Sequence, residues 1–229
     1  MSKPKYHKDH VLVIADLHCP YEHPGYLDFC LEIRDRVKCG TTVFIGDICD
    51  NSAISFHEHD PDCKGPEDEM READHHLSMW MRAFPKAKIC LGNHDRLPDR
   101  KRKFIGLPKR CFQTFRKIWN LPDMWYDDFK HEIDGVIYMH GTGLSGDQAH
   151  IKAASANRQS SVVGHTHSTG AVTYLVSEKD RIFGMNVGAG IDRKLLAFEY
   201  GRDFLKKPFI GAGVVTDKGK LAQVFPMEL

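Results

Sequence analysis

The sequence lacks several features, and each absence narrows its class. No stretch approaches the ~18 consecutive apolar residues of a membrane-spanning helix. Net charge is nearly absent, since 32 basic residues meet 31 acidic ones. Whole-chain charge therefore argues neither for nor against a nucleic-acid partner. There is no CxxC pair. The seven cysteines, an odd number, are scattered from Cys19 to Cys111. That fits reduced thiols better than a disulfide scaffold or a zinc ribbon. There is no internal repeat and no low-complexity segment. The opening MSKPKYHKDH carries no apolar core, so no secretory signal is expected. A cytoplasmic location without membrane attachment is the expectation.

What is present suits one ordinary folded domain over residues 1–229. Hydrophobic residues make up 41% and charged residues 28% of the chain, enough for a normal core. Histidine is the unusual residue, with fourteen copies. It is the commonest metal ligand and titrates near neutrality.

Hydrophobic patterning predicts an α/β first half. Val11–Ala15, Thr42–Ile45 and Ala87–Leu91 are short apolar runs of the kind buried on both faces of a sheet. Tyr26–Val37 and Glu67–Ala83 have helical spacing, the second with Met70, Ala73, Leu77 and Trp80 near one face. Strand, helix and strand then make a βαβ unit. Residues 51–66 read as a loop. Residues 96–130 are mixed, hold Pro98, Pro108 and Pro122, and predict a cap-like insertion with one helix around Cys111–Trp119. Two further strands follow at Val136–Met139 and Ser161–Val163, with a helix over Gly146–Asn157 between them. After Ala171, the runs AVTYLV, RIFGMNV, LLAFEY, FIGAGVV and LAQVF predict antiparallel strands and hairpins.

The informative pattern is a recurrence. Each of the first five predicted strands ends in residues able to bind a metal. Val11–Ala15 leads to Asp16-Leu17-His18, and Thr42–Ile45 to Gly46-Asp47. Ala87–Leu91 leads to Gly92-Asn93-His94-Asp95. Val136–Met139 leads to His140-Gly141, and Ser161–Val163 to Gly164-His165-Thr166-His167. In open α/β sheets, ligands bind in the crevice beyond the carboxyl ends of strands. The glycines permit tight turns and close backbone approach. The donor set is two carboxylates, one amide and four imidazoles, without thiolate. It suits a pair of borderline divalent ions, Mn, Fe, Ni, Co or Zn, more than a structural cysteine-rich zinc.

The order DxH, GD, GNH(D/E), H, GHxH resembles the calcineurin-like metallophosphoesterase family. The likeness spans residues 16–167. Chain length and motif spacing also resemble phosphoesterases of phage genomes, which would place the protein in a host cytoplasm. The resemblance implies two mixed β-sheets packed face to face and flanked by helices, a four-layer sandwich. It implies that Asp16, His18 and His167 bind one metal and that Asn93, His140 and His165 bind a second. Asp47 would bridge them. His94 would sit beside the substrate phosphate, oriented by Asp95, with Asp50 as an outer residue. Asn186-Val187-Gly188 resembles the turn written NPG in the family, with Val in place of Pro. The implied activity is hydrolysis of a phosphomonoester or phosphodiester by a metal-bridging hydroxide, with Mn the expected metal.

The remaining polar residues carry weaker signals. The basic run Arg96, Arg100, Lys101, Arg102, Lys103, Lys109 and Arg110 favours a nucleotide or nucleic-acid substrate, with Arg96 the best candidate to grip its phosphate. A solvated helix face explains the same run equally well. His57, Glu58, His59 and Asp60 read as a solvated loop. His75 and His76 read as an exposed helix face. Cys19, Cys49, Phe104, Phe112, Phe115 and Trp119 read as packing residues. A protein phosphatase and a non-enzymatic scaffold that keeps the metal site are the competing functions. The sequence leaves oligomeric state open.

Overall fold

The computed structural model describes residues 6–56, 61–195 and 205–228. The strand expected within 195–200, all but its first residue, and the His57–Asp60 cluster lie outside the described residues.

The apolar run at Val11–Ile14 is fully buried and forms the inner half of β1 (His7–Ile14). It pairs in parallel with β2 (Cys39–Phe44), which pairs in parallel with β3 (Ala87–Cys90). Helix α1 (Tyr26–Val37) makes the first crossover. It buries Tyr26, Cys30 and Ile33, residues spaced to fall on one helix face. Helix α2 (Pro66–Ala83) makes the second. It starts with proline in its first turn and three acidic residues, Glu67, Asp68 and Glu69, a favourable N-terminus. Its buried face holds Glu69, Ala73, Leu77 and Trp80, with Met70 only partly covered.

Residues 96–130 differ from the expected cap. Helix α3 (Leu97–Phe104) is followed by a 3-10 turn at Lys109–Cys111 and the short α4 (Phe115–Ile118). The single helix expected at Cys111–Trp119 is thus broken. The chain then re-enters the core. Trp119 and Leu121 are buried, and β4 (Trp125–Asp128) lies parallel to β3 at the sheet edge. Next comes a hairpin, β5 (Lys130–Ile133) with β6 (Val136–Met139). Asp134 and Gly135 join them with φ of 50° and 74°, the backbone of a primed hairpin turn.

After β6 come α5 (Ala149–Asn157), β7 (Ser161–Val163), β8 (Gly170–Val176), β9 (Arg181–Val187), β10 (Gly211–Thr216) and β11 (Leu221–Pro226). One sheet has the order β11-β10-β1-β2-β3-β4 and the other β5-β6-β7-β9-β8. Both are mixed. The β8–β9 and β10–β11 hairpins are antiparallel as expected, but they extend different sheets.

One apolar core joins the sheets, from Val13 and Phe44 on one side to Tyr138, Phe183 and Met185 on the other. Polar ties cross the seam as well. The Cys90 Sγ–H reaches Tyr138 O at 3.3 Å, and His131 Nε2 donates to Ile89 O at 2.9 Å. Gly213 on β10 faces β9 so closely that a Cβ there would stand 2.5 Å from Val187. Among the described residues, no helix is long and apolar enough to cross a membrane.

Tyr26 fastens α1 to two strands. Its hydroxyl accepts from Ala15 N at 3.0 Å and donates to Gly211 O at 2.6 Å, fully buried. Tyr26→Phe leaves both backbone groups unpaired. It should lower stability by about 1–3 kcal/mol, read as a fall in urea midpoint at constant m. An unchanged midpoint would show that water or a backbone shift replaces the hydroxyl.

Candidate metal centre

The carboxyl ends of β1, β2, β3, β6 and β7 meet in the seam between the sheets. All seven expected donors converge there. His140 Nε2 lies 3.0 Å from Asp47 Oδ2, 3.1 Å from Asn93 Oδ1 and 3.2 Å from His165 Nδ1. His18 Nε2 and His167 Nε2 are 3.2 Å apart, and His167 Nε2 is 3.2 Å from Asp16 Oδ2. His18 Nε2 stands 3.8 Å from Asp47 Oδ2, so Asp47 lies between the two groups.

The backbone is shaped around these atoms. His18, Asp47 and His165 adopt φ of 52°, 45° and 66°. Such left-handed backbone costs a non-glycine residue about 1–3 kcal/mol and concentrates at functional sites. Two glycines form the walls. A Cβ on Gly92 would stand 2.0 Å from Asp47 Oδ1, and one on Gly164 would stand 2.2 Å from Asp16 Oδ1. Each carboxylate also accepts one backbone N–H, from His94 to Asp47 and from His165 to Asp16, both at 2.8 Å.

The outer ring nitrogens are tied, which fixes where the inner ones point. His18 Nδ1–H donates to Asp50 Oδ1 at 2.5 Å, and His140 Nδ1–H to Ile45 O at 3.2 Å. Metal-binding histidines characteristically have their second nitrogen held this way. Asp16 Oδ1 is buried with no hydrogen-bond partner. A buried carboxylate oxygen left unpaired is costly, and a cation beside it removes the cost. Two groups of three, Asp16–His18–His167 and Asp47–His140–His165, could each hold a metal ion. The residues present therefore fit divalent cations.

His94 is arranged differently from the expectation. Its Nδ1–H donates to Asp50 O at 2.6 Å, with Asp50 Oδ1 at 3.3 Å. The side chain is 26% exposed, against 1–2% for His18 and His140. It stands at the open side of the site. Asp95 does not orient it. The Asp95 carboxylate instead accepts from the backbone N–H groups of Ile48, Cys49 and Gly92. It clamps the β2 turn to the β3 turn, because the chain reverses at Asp95 and directs its side chain inward. Asp50 is the residue that positions both His18 and His94.

Other residues were less visible in the sequence. Asn51 Nδ2 donates to His94 O, and Glu69 accepts from Ser52 N, Ser52 Oγ and Ala53 N. An acid on the apolar face of α2 was the available signal for Glu69. Asn186 bonds Gly188 N and Thr166 Oγ1, joining the end of β9 to the His165–His167 loop. His76 is not a free surface residue, since it donates to the buried Glu22. His150 is buried on α5 against Thr173, away from the donors. Cys19 and Cys49 are buried packing residues as expected, but Phe104 is 77% exposed and is not core. Arg96 lies over the Phe129 ring, 5.0 Å from its centre.

Residues 10–172 match the sequence model of the family described as calcineurin-like phosphoesterase. The chain belongs to the calcineurin-like phosphoesterases. The family match covers all five strand-end motifs. Among solved structures, an archaeal phosphodiesterase is similar over 95% of this chain and 99% of its own, at 14% identity and a TM-score of 0.48. Vacuolar protein sorting 29 from Cryptosporidium parvum is similar over 96% and 97%, at 14% identity and 0.42. Yfce, a phosphoesterase from E. coli, is similar over 96% and 100%, at 12% identity and 0.42. At this level of similarity they carry no argument about the reaction. No curated protein matches the sequence.

Without metal, the calcineurin-like site is held together by protons. Burial disfavours charge on His94, but Asp50 and Asp47 outweigh it and raise its pKa to about 10. Burial likewise opposes charge on His140, and Asp47 and Asp16 raise it to about 9. Burial and the Asp47 charge push Asp95 up to about 7. A pKa raised by folding gives stability that is lost as pH climbs through the folded value. The melting temperature of the metal-free protein should therefore fall as pH rises from about 6.5 to about 10. Asp47 and Asp50 are depressed against burial by neighbouring histidines and act in the opposite sense, in acid. A cation takes the place of the proton on the donor His140, so the metal-loaded protein should show a smaller alkaline fall, with the part due to His94 remaining. A flat metal-free profile would contradict these ion pairs.

Proposed function

We propose that this chain is a metal-dependent phosphoric ester hydrolase acting on a phosphomonoester or phosphodiester, with nucleotides or nucleic acid the favoured class. The observation that carries the reading is the convergence of seven donor side chains from five strand ends around the buried Asp47. Asp16, His18 and His167 would hold one cation, Asn93, His140 and His165 the other, and Asp47 both. The donor set accepts Mn, Fe, Ni, Co or Zn, with Mn our choice. When bound, such a pair supplies a nucleophile at neutral pH and Lewis-acid neutralisation of phosphoryl oxygens.

The chain's own residues do the rest. His94 donates its Nδ1–H to Asp50 O, and its ring stays partly exposed, leaving Nε2 for the substrate. Nε2 can then donate a proton to the leaving oxygen, or hold charge on the phosphoryl group. Asp50 stabilises the imidazolium form of His94 through its carboxylate. Asp95 keeps the turns carrying Asp47 and Asn93 in register by bonding both backbones. Strained φ angles at His18, Asp47 and His165 preset the donors, so little reorganisation accompanies binding. A non-catalytic scaffold is disfavoured, because all seven donors are present and His94 is tethered yet partly exposed.

His94→Ala should cut turnover about 10²–10⁴-fold and leave metal content intact. Asp47→Asn should lose both metals. A panel of monoesters, cyclic nucleotides, single- and double-stranded DNA and phosphopeptides, assayed in Mn, Ni, Co and Zn, tests the class. Undiminished hydrolysis by Asp47→Asn, or preference for phosphopeptides, would sink this reading.

A further inference from the structure

The two segments that anchor His94 also carry an exposed ridge of aromatic and basic side chains. Asn51 holds the His94 carbonyl, and five residues later stands Phe56, 43% exposed. Leu97 N donates to the same carbonyl at 3.0 Å and starts α3, which ends at Phe104, 77% exposed. The two rings meet edge to face, with centroids 5.6 Å apart. Arg100 lies 5.1 Å and Lys101 4.0 Å from the centre of the Phe56 ring. Arg96 caps the nearby Phe129, itself 58% exposed.

The charges on this helix divide cleanly. Arg102 and Lys103 both pair with Asp99. Arg96, Arg100 and Lys101 have no ion pair among the described residues. Each is set over an aromatic face instead. A purely solvated helix would have no reason to expose Phe104 at its C-terminal end against a second exposed ring, and exposed contiguous apolar surface usually marks a contact site. Unpaired cations interleaved with exposed rings match one ligand chemistry well. Single-stranded nucleic acid presents phosphates at regular intervals and unstacked bases with open π-faces. A duplex hides those faces.

We propose that Phe56, Phe104 and the cations Arg96, Arg100 and Lys101 form a stacking platform for single-stranded nucleic acid, leading its backbone to His94. The proposal rests on the phosphoesterase reading for what happens to the strand, but not for its binding. Phe56 and Phe104 stack bases. Arg100 and Lys101 pair with phosphates while keeping contact with the Phe56 ring. Phe104 adds no core packing, so its removal leaves the fold intact.

The test is fluorescence anisotropy of the full-length, metal-free chain with a labelled oligothymidylate, a matched abasic strand and a duplex of equal length. Single strands with bases should bind at least fivefold more tightly than the abasic strand and the duplex. Phe104→Ala should weaken that binding at least fivefold with unchanged melting temperature, and Phe56→Ala should do the same. Equal affinity for abasic and base-bearing strands, tighter duplex binding, no binding, or indifference to Phe104→Ala would each overturn the platform. Sedimentation showing self-association lost in Phe104→Ala, without oligonucleotide binding, would assign the ridge to a second copy instead and overturn it too. Hydrolysis of a small generic phosphodiester by the metal-loaded wild type separates the two readings. If that fails while Phe104-dependent binding stands, the enzyme reading falls and the platform survives.

Discussion

The structure depends on two buried carboxylates. Asp16 and Asp47 lie at 0% and 1% exposure between two β-sheets, where an isolated charge costs several kcal/mol. One backbone N–H apiece offsets part of that cost. Four imidazoles and an amide face the same small volume, and most of them can only point their inner nitrogen at another acceptor. This arrangement is stable with protons or cations between the donors and unfavourable without either. The surrounding backbone is built to keep it. Gly92 and Gly164 let main chain touch the carboxylates, and three donors sit in left-handed conformations.

The two-sheet architecture follows from the same requirement. Donors at the ends of β1, β2 and β3 belong to one sheet, and those at the ends of β6 and β7 to the other. Each group draws donors from both sheets, so neither sheet alone completes either group. The Cys90–Tyr138 and His131–Ile89 ties and the shared apolar core set the distance between the sheets. Asp95 performs the equivalent task within one sheet, bridging two turns through three backbone bonds.

Much of this could be read from residue order. Short apolar runs predicted β6, β7 and β9 at their observed bounds, because burial on both faces leaves an unbroken hydrophobic signature, and helical spacing did the same for α1. The seven donors were legible since each follows such a run. What failed was local and polar. β4 and β5 were missed because Trp-Tyr-Asp-Asp and Lys-His-Glu-Ile pair at sheet edges, where hydrophobic content is low, although Asp134-Gly135 marks a hairpin turn. The family resemblance implied that Asp95 orients His94, whereas the turn aims its carboxylate at the backbone N–H groups of Ile48, Cys49 and Gly92. The exposure of Phe104 was invisible too, since a phenylalanine in a helical stretch reads as core unless the partner face is known.

The central claim is that the seam between the sheets is a two-cation site divided by Asp47. Anomalous diffraction from crystals grown with Mn²⁺ tests it most directly. The account predicts two peaks about 3.5–4 Å apart, one against Asp16, His18 and His167 and one against Asn93, His140 and His165, with Asp47 touching both. No peak in the seam, or a single peak that leaves one of these groups unliganded at saturating metal, would contradict it.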